Sequence, residues 1–263
     1  MKLFLLLFIL FTSLYSKDIV FGIVPQQNST VLLKKWLPFT KELSQITGYN
    51  IILKIQKSIP KFERELYLGK YDVAYMNPYH FIIANKLQKY SALIRSQKLI
   101  QGIVVGDKNR QLNRDTIINS TFLFPAPKAF AATLLTKYEL NKKFDINIDK
   151  DSNIIYVNSH DSVYKGVGRN IGDFGGGIIR TFNNLSDIKT KKSIFILYKT
   201  QKYPSHPIAI HPRLSKEIRD NIQNGLLKIS DKRLNSLNIK YFIITTDNEY
   251  KDVKKLAIEL DIY

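Results

Sequence analysis

Asp72-Val73-Ala74-Tyr75-Met76-Asn77-Pro78-Tyr79-His80-Phe81 reads as a short buried strand that runs straight into a helix. Val73-Ala74-Tyr75 shows no polar alternation, the pattern of a strand covered on both faces. Asn77-Pro78 then halts it with a capping side chain and a proline suited to the first helical position. The same order occurs upstream. Ile19-Val20-Phe21-Gly22-Ile23-Val24 is an apolar run ended by Pro25, and Val31-Leu32-Leu33, Trp36-Leu37, Leu43 and Ile46 follow at helical spacing as far as Gly48. Ile51-Ile52-Leu53 is a second strand, and Phe62, Leu66 and Leu68 lie on a helix that opens at Pro60 and closes at Gly69. Strands alternating with helices predict an open, mostly parallel α/β sheet with helices on both faces.

Downstream the pattern restarts. Residues 102–106, 121–124, 154–157 and 195–198 read as strands, a helix opens near Pro127, and 214–229 and 253–260 read as helices. Two similar halves imply two lobes.

Composition limits what such a protein can do. Met1-Lys2, the short apolar run 3–11 and the small polar stretch Thr12-Ser13-Leu14-Tyr15-Ser16 have the layout of a secretory signal peptide, residues 1–16, too short to span a bilayer. The protein is therefore expected in the periplasm. Without a single cysteine it is no disulfide-stapled domain, thiol enzyme or cysteine-anchored lipoprotein. Roughly 245 residues would remain, enough for two ordinary lobes. The formal net charge of +18 and pI near 9.8 favour anions in general. The lysines are scattered in pairs such as Lys34-Lys35, Lys142-Lys143 and Lys254-Lys255, the pattern of a solvated surface, and no nucleic-acid partner is expected.

Ligands of open α/β sheets bind beyond the carboxyl ends of the strands, so the post-strand segments hold the candidates. Tyr75 and Asn77 stand at one strand end, although Asn77 has a purely structural reading as a helix cap. Pro125-Ala126-Pro127-Lys128-Ala129-Phe130-Ala131-Ala132 places small residues at a helix start, where approachable amides and the helix dipole attract an anion. The plain alternative is that alanines favour a helix. Val157-Asn158-Ser159-His160-Asp161-Ser162 ends a third strand, and His160 and Ser162 are candidate ligand contacts beside a cap at Ser159 or Asp161. Gly172-Asp173-Phe174-Gly175-Gly176-Gly177 reads as a flexible, backbone-rich wall with no nucleotide-binding spacing, so no cofactor is expected.

Catalysis has weak support. There is no Gly-x-Ser-x-Gly elbow, and Ser159, His160 and Asp161 are adjacent, whereas triad members converge from separate segments. A periplasmic hydrolase using His160 and Asp173 is the enzymatic alternative. His80, His160, His206 and His211 have no metal-ligand spacing, and no metal is expected.

Gly22-Ile23-Val24-Pro25, the stretch 36–48, Asp72 to Phe81, Ser159 to Val163, Asp173 with its glycines and Tyr203-Pro204-Ser205-His206-Pro207, in this order, resemble the phosphate, phosphite and phosphonate-binding components of ABC transporters. The resemblance covers nearly all of the chain beyond the leader. It implies the type II periplasmic binding fold, two α/β lobes joined by two hinge strands, with lobe one formed by residues 17–99 and 206–263 and lobe two by 100–205. It also implies a monomeric, non-catalytic protein that captures a small anionic solute and hands it to an ABC permease. Tyr75 would touch the ligand from lobe one, Ala129, Phe130, Ala131 and His160 from lobe two, and Asp173 and Tyr203 would lie near the cleft. Members that bind phosphonates present a Ser/Thr-rich loop where this chain has alanines. With Phe130, Tyr75, Tyr79 and Tyr203 nearby, that departure admits a less polar or amine-bearing ligand held partly by aromatic faces. A ligand-sensing partner of a membrane histidine kinase, or a binder of an unrelated small solute, are the alternatives.

Overall fold

A computed structural model describes residues 17–263, and the expected leader at 1–16 lies outside the described residues. The chain builds β1 (Asp18–Ile23), α1 (Ser29–Thr47), β2 (Asn50–Ile55), α2 (Ile59–Tyr67), β3 (Val73–Tyr75), α3 (Pro78–Gln88) and β4 (Ser91–Ser96). Helix α1 begins where the Asn28 side chain accepts the Thr30 amide at 2.8 Å, and it stops where Gly48 takes a left-handed φ of 76°. Leu32, Trp36, Phe39 and Leu43 between those caps bury one face, with the Trp36 and Phe39 rings 6.0 and 6.3 Å from Phe21 on β1.

The chain then forms β5 (Ile100–Asp107), α4 (Arg114–Ile117), β6 (Thr121–Phe124), a π-turn (Phe130–Leu134) that leads into α5 (Leu135–Phe144), α6 (Ile148–Asp151), β7 (Asn153–Tyr156), α7 (His160–Gly168), β8 (Phe174–Ile178), α8 (Ile179–Asn183), α9 (Ile188–Ser193) and β9 (Ile194–Tyr203). It returns through β10 (Pro207–Ile210), α10 (Lys216–Leu227), α11 (Asp231–Ser236), β11 (Phe242–Ile244) and α12 (Lys251–Glu259).

Two sheets result, ordered β11-β4-β10-β3-β1-β2 and β7-β6-β8-β5-β9. The mostly parallel arrangement expected from the sequence holds for β2-β1-β3 and β7-β6-β8. Strands β4, β5, β9, β10 and β11 pair antiparallel, because two crossing segments carry the chain between the sheets in opposite directions. Those segments run side by side. Arg95 on β4 is paired with Pro207 on β10, and a few residues along Ile100 on β5 is paired with Tyr203 on β9. The Ser205 hydroxyl donates to the Ser96 carbonyl at 3.0 Å and ties the two together.

Each sheet ties together the amino ends of two neighbouring parallel strands with the same device. Asp72, just before β3, donates its amide to the Val20 carbonyl at 2.9 Å, accepts the Val20 amide on its carboxylate at 2.9 Å, and pairs with Arg213. Asp173, just before β8, exchanges the same two bonds with Thr121 at 2.8 and 2.7 Å and pairs with Arg110. The amino ends of the parallel strands are thereby sealed, and the carboxyl ends of both sheets are left to face one another.

The glycine run 175–177 is strand interior, not a flexible wall. β8 is buried along its whole length because neighbours press on it: a Cβ at Gly176 would lie 2.1 Å from the Ala132 carbonyl oxygen, and one at Gly177 2.3 Å from the Tyr164 hydroxyl.

Candidate ligand-binding cleft

The first lobe brings Tyr75 to the cleft as the last residue of β3 and Gln26 on the segment that follows β1. Tyr75 is 5% exposed, with its ring 4.8 Å from Trp36 and stacked on His206 at 5.3 Å. Gln26 turns its amide nitrogen to His206 Nε2 at 2.6 Å, which makes that nitrogen the acceptor and leaves its carbonyl oxygen facing the second lobe. Burial, and then the charge of Arg180, hold the His206 imidazole well below its ordinary pKa, in keeping with a neutral ring that accepts.

From the second lobe comes Arg180, near the start of α8. Its guanidinium donates to the Tyr75 hydroxyl at 3.2 and 3.3 Å and to the Gln26 carbonyl at 3.3 Å. Arg180 thus spans the cleft on neutral partners. Beside it, the π-turn places the amides of Phe130, Ala131 and Ala132 ahead of the first helical acceptor bond, which runs from Thr133 to the Ala129 carbonyl at 2.8 Å. Gly102 and Gly176 let that turn lie directly on the sheet, since a Cβ at Gly102 would sit 2.2 Å from the Ala131 carbonyl oxygen.

His160 opens α7, whose amino end is capped by the Ser159 hydroxyl accepting the Ser162 amide at 3.1 Å. His160 is 2% exposed, and its Nδ1 has no hydrogen-bond partner. Burial first, and Arg180 second, push its pKa down to about 3, so the ring is neutral at physiological pH and free to donate from one nitrogen. Asn77 reaches across as well: its carbonyl caps α3 by accepting the His80 amide at 2.7 Å, while its nitrogen donates to the Lys128 carbonyl at 3.3 Å. One cavity is lined jointly by Gln26, Asn77, the stretch 129–132, His160 and His206.

Of the residues expected from sequence, Asn77, Ala129, Phe130, Ala131 and His160 line it, and Tyr75 lines an adjoining cavity with Gln26 and Arg180. Ser162 does not: its amide and hydroxyl are both taken up with Ser159 in the α7 cap. Asp173 is a correction. It lies at the sealed end of β8, about five residues or roughly 16 Å of strand from the cleft, where it ties β8 to β6 rather than serving a ligand. Tyr203 stands behind Phe130, edge-on at 5.4 Å, and faces an outer groove between α5, β9 and α12. Arg180, Gln26 and His206 were not among the expected ligand contacts. Gln26 and Arg180 each follow a strand, the very position searched, but reading the glycines as a loop concealed the strand that Arg180 follows.

A profile of ABC transporter phosphonate periplasmic substrate-binding proteins matches residues 21–250. The chain belongs to this family. Solved structures agree on the fold. A binding protein component of an ABC phosphonate transporter from Pseudomonas aeruginosa superposes with a TM-score of 0.84 at 17% identity, over 93% of this chain and 86% of that one. PhnD1 from Prochlorococcus marinus, solved with methylphosphonate, gives 0.84 at 19% identity over 94% and 99%. XAC2383 from Xanthomonas citri, bound to ATP, gives 0.73 at 12% identity over 94% and 98%. As a phosphonate-family binding protein the chain has the two-lobed type II periplasmic architecture. Among the described residues no helix is long and apolar enough to cross a membrane.

Proposed function

We propose that the cleft captures a small phosphorus oxyanion in the periplasm, that the protein works as a monomer, and that it presents the ligand to an ABC permease without chemical change. The observation that carries this is Arg180. A guanidinium from lobe two, whose side-chain bonds among the described residues go to the Tyr75 hydroxyl and the Gln26 carbonyl, stands beside the open amides of 130–132 and a neutral His160. An oxyanion would replace Tyr75 and Gln26 as the partner of Arg180 and accept from the helix start at the same time. Residues 17–99 and 206–263 would move as one lobe and 100–205 as the other, bending at 97–99 and 204–206. Closure then brings the donors of both lobes onto the ligand, so affinity and closure are one event.

A hydrolytic role lacks the geometry. His160 and Asp173 sit at opposite ends of the second sheet, and the Ser159 hydroxyl is occupied in a helix cap.

Thermal unfolding of the protein without its leader, with methylphosphonate, phosphite, phosphate or sulfate, tests the reading. A ligand at about 100 times its Kd adds about 2.7 kcal/mol, which raises Tm by roughly 5–10 °C for a chain of this size. The shift should fall in Tyr75→Ala and Arg180→Ala. No shift with any phosphorus oxyanion would overturn the proposal.

A further inference from the structure

Three cavities meet around the Arg180 side of the cleft. The first is the chamber at the helix start. The second lies against Gln27, Lys35, Trp36 and Asn238, and the third, of about 200 Å³, is walled by Lys98, Gln101, Asn183, Asn184, Ser205 and Asn238. Arg180 lines the second and third, Lys35 and Lys98 add further positive charge, and among the described residues neither Asp nor Glu lines any of the three. No carboxylate pairs with Arg180 among the described residues. Burial raises the pKa of the Asp161 carboxylate at the start of α7, and Lys165 and Lys35 counter part of that shift.

The charge of this lining bears on the part of the ligand that extends from its oxyanion. An ammonium brought into these cavities would lose water, find no carboxylate, and lie near a guanidinium. An alkyl group meets no such penalty, and a carboxylate would find Arg180 and Lys98. Resting on the oxyanion reading above, we infer that the site takes phosphonates whose substituent is uncharged or carries a carboxylate, and rejects those whose substituent carries an ammonium. The amine-bearing ligand that the aromatic residues alone would admit is thereby excluded by charge.

Calorimetric titration at about pH 9, alkaline enough to ionise the phosphonate fully in most of each ligand while the aminoethyl ammonium keeps its charge, would compare methylphosphonate, phosphonoacetate, n-propylphosphonate and 2-aminoethylphosphonate. The last two have the same shape and differ by a methyl group against an ammonium. Aminoethylphosphonate is expected to bind at least tenfold more weakly than propylphosphonate. Asn238→Asp, which places a carboxylate on the wall of two cavities, should narrow that ratio at least threefold. Aminoethylphosphonate binding as tightly as propylphosphonate would overturn the inference and leave the oxyanion reading standing. No binding by any of the four would overturn the inference, and the oxyanion reading would fall with it only if phosphite and phosphate failed to bind as well. The wild-type ratio decides the matter even where the variant fails to fold.

Discussion

Gly102→Ala should cost the protein its ligand more than its fold. The new methyl would lie 2.2 Å from the Ala131 carbonyl oxygen, a backbone atom of the turn whose amides face the cleft. Ordinary contact begins near 3.4 Å, so the turn must lift by about 1 Å, at an overpacking cost of about 1–3 kcal/mol. A donor displaced that far moves from about 2.9 to about 3.9 Å from an oxyanion and no longer makes a hydrogen bond. Each such charged bond contributes about 1.5–3 kcal/mol, so losing one raises Kd by roughly 10- to 150-fold and losing two by more. Gly106→Ala is the control on the same strand: its methyl would meet the end of the Leu197 side chain at 2.6 Å, far from the cleft. Calorimetric Kd for methylphosphonate, with urea unfolding of each variant, separates the two effects. A folded Gly102→Ala protein with Kd within twofold of wild type, or a Gly106→Ala protein that weakens binding equally, would refute the cradle.

Acid should weaken the fold through His160. Its folded pKa is near 3 while the unfolded chain protonates near 6.5, so the unfolded state holds the extra proton between those values. Stability is therefore full above about pH 6.5 and falls towards pH 3, at up to about 1.4 kcal/mol per pH unit, with His206 acting in the same direction. Urea midpoints across that range should decline less steeply in His160→Asn, and parallel profiles would contradict the assignment. Asp173→Asn should lower stability by about 1 kcal/mol, discounted for partial exposure, and leave Kd unchanged; a Kd raised tenfold would return Asp173 to the site. Glu259 on α12 accepts from Tyr138 and pairs with Lys142 of the opposite lobe in the outer groove. Because that pair is exposed, Glu259→Gln should raise Kd by less than about threefold, and a larger rise in titration would show a stronger latch.

The repeated strand-helix order was legible because apolar runs of two-face-buried strands carry it directly: 73–75 and 121–124 became strands, as did 19–24 except Val24, where β1 has already ended. Tyr75 and His160 came up as candidates because Tyr75 ends such a run and His160 lies just beyond one. Strand β8 could not be found in the same way. Its glycines exist to admit the Ala132 carbonyl and the Tyr164 ring, partners distant in sequence, and locally they look like a loop. Arg180 was lost with it. Asp173 misled for the opposite reason: an acid beside glycines suggests a ligand site, whereas its true partner is the Thr121 amide, visible only once β6 and β8 lie together.

Trp36 is the chain's only tryptophan, and the structure packs it against Tyr75, ring centroids 4.8 Å apart, on the wall of the cleft. Its indole is therefore an optical reporter that evolution has already placed at the site. Any event that moves Tyr75 or Arg180 changes the polarity and quenching around that one fluorophore, with no background from a second. Ligand capture and lobe closure can thus be timed by intrinsic emission in a stopped-flow instrument, on the unlabelled protein.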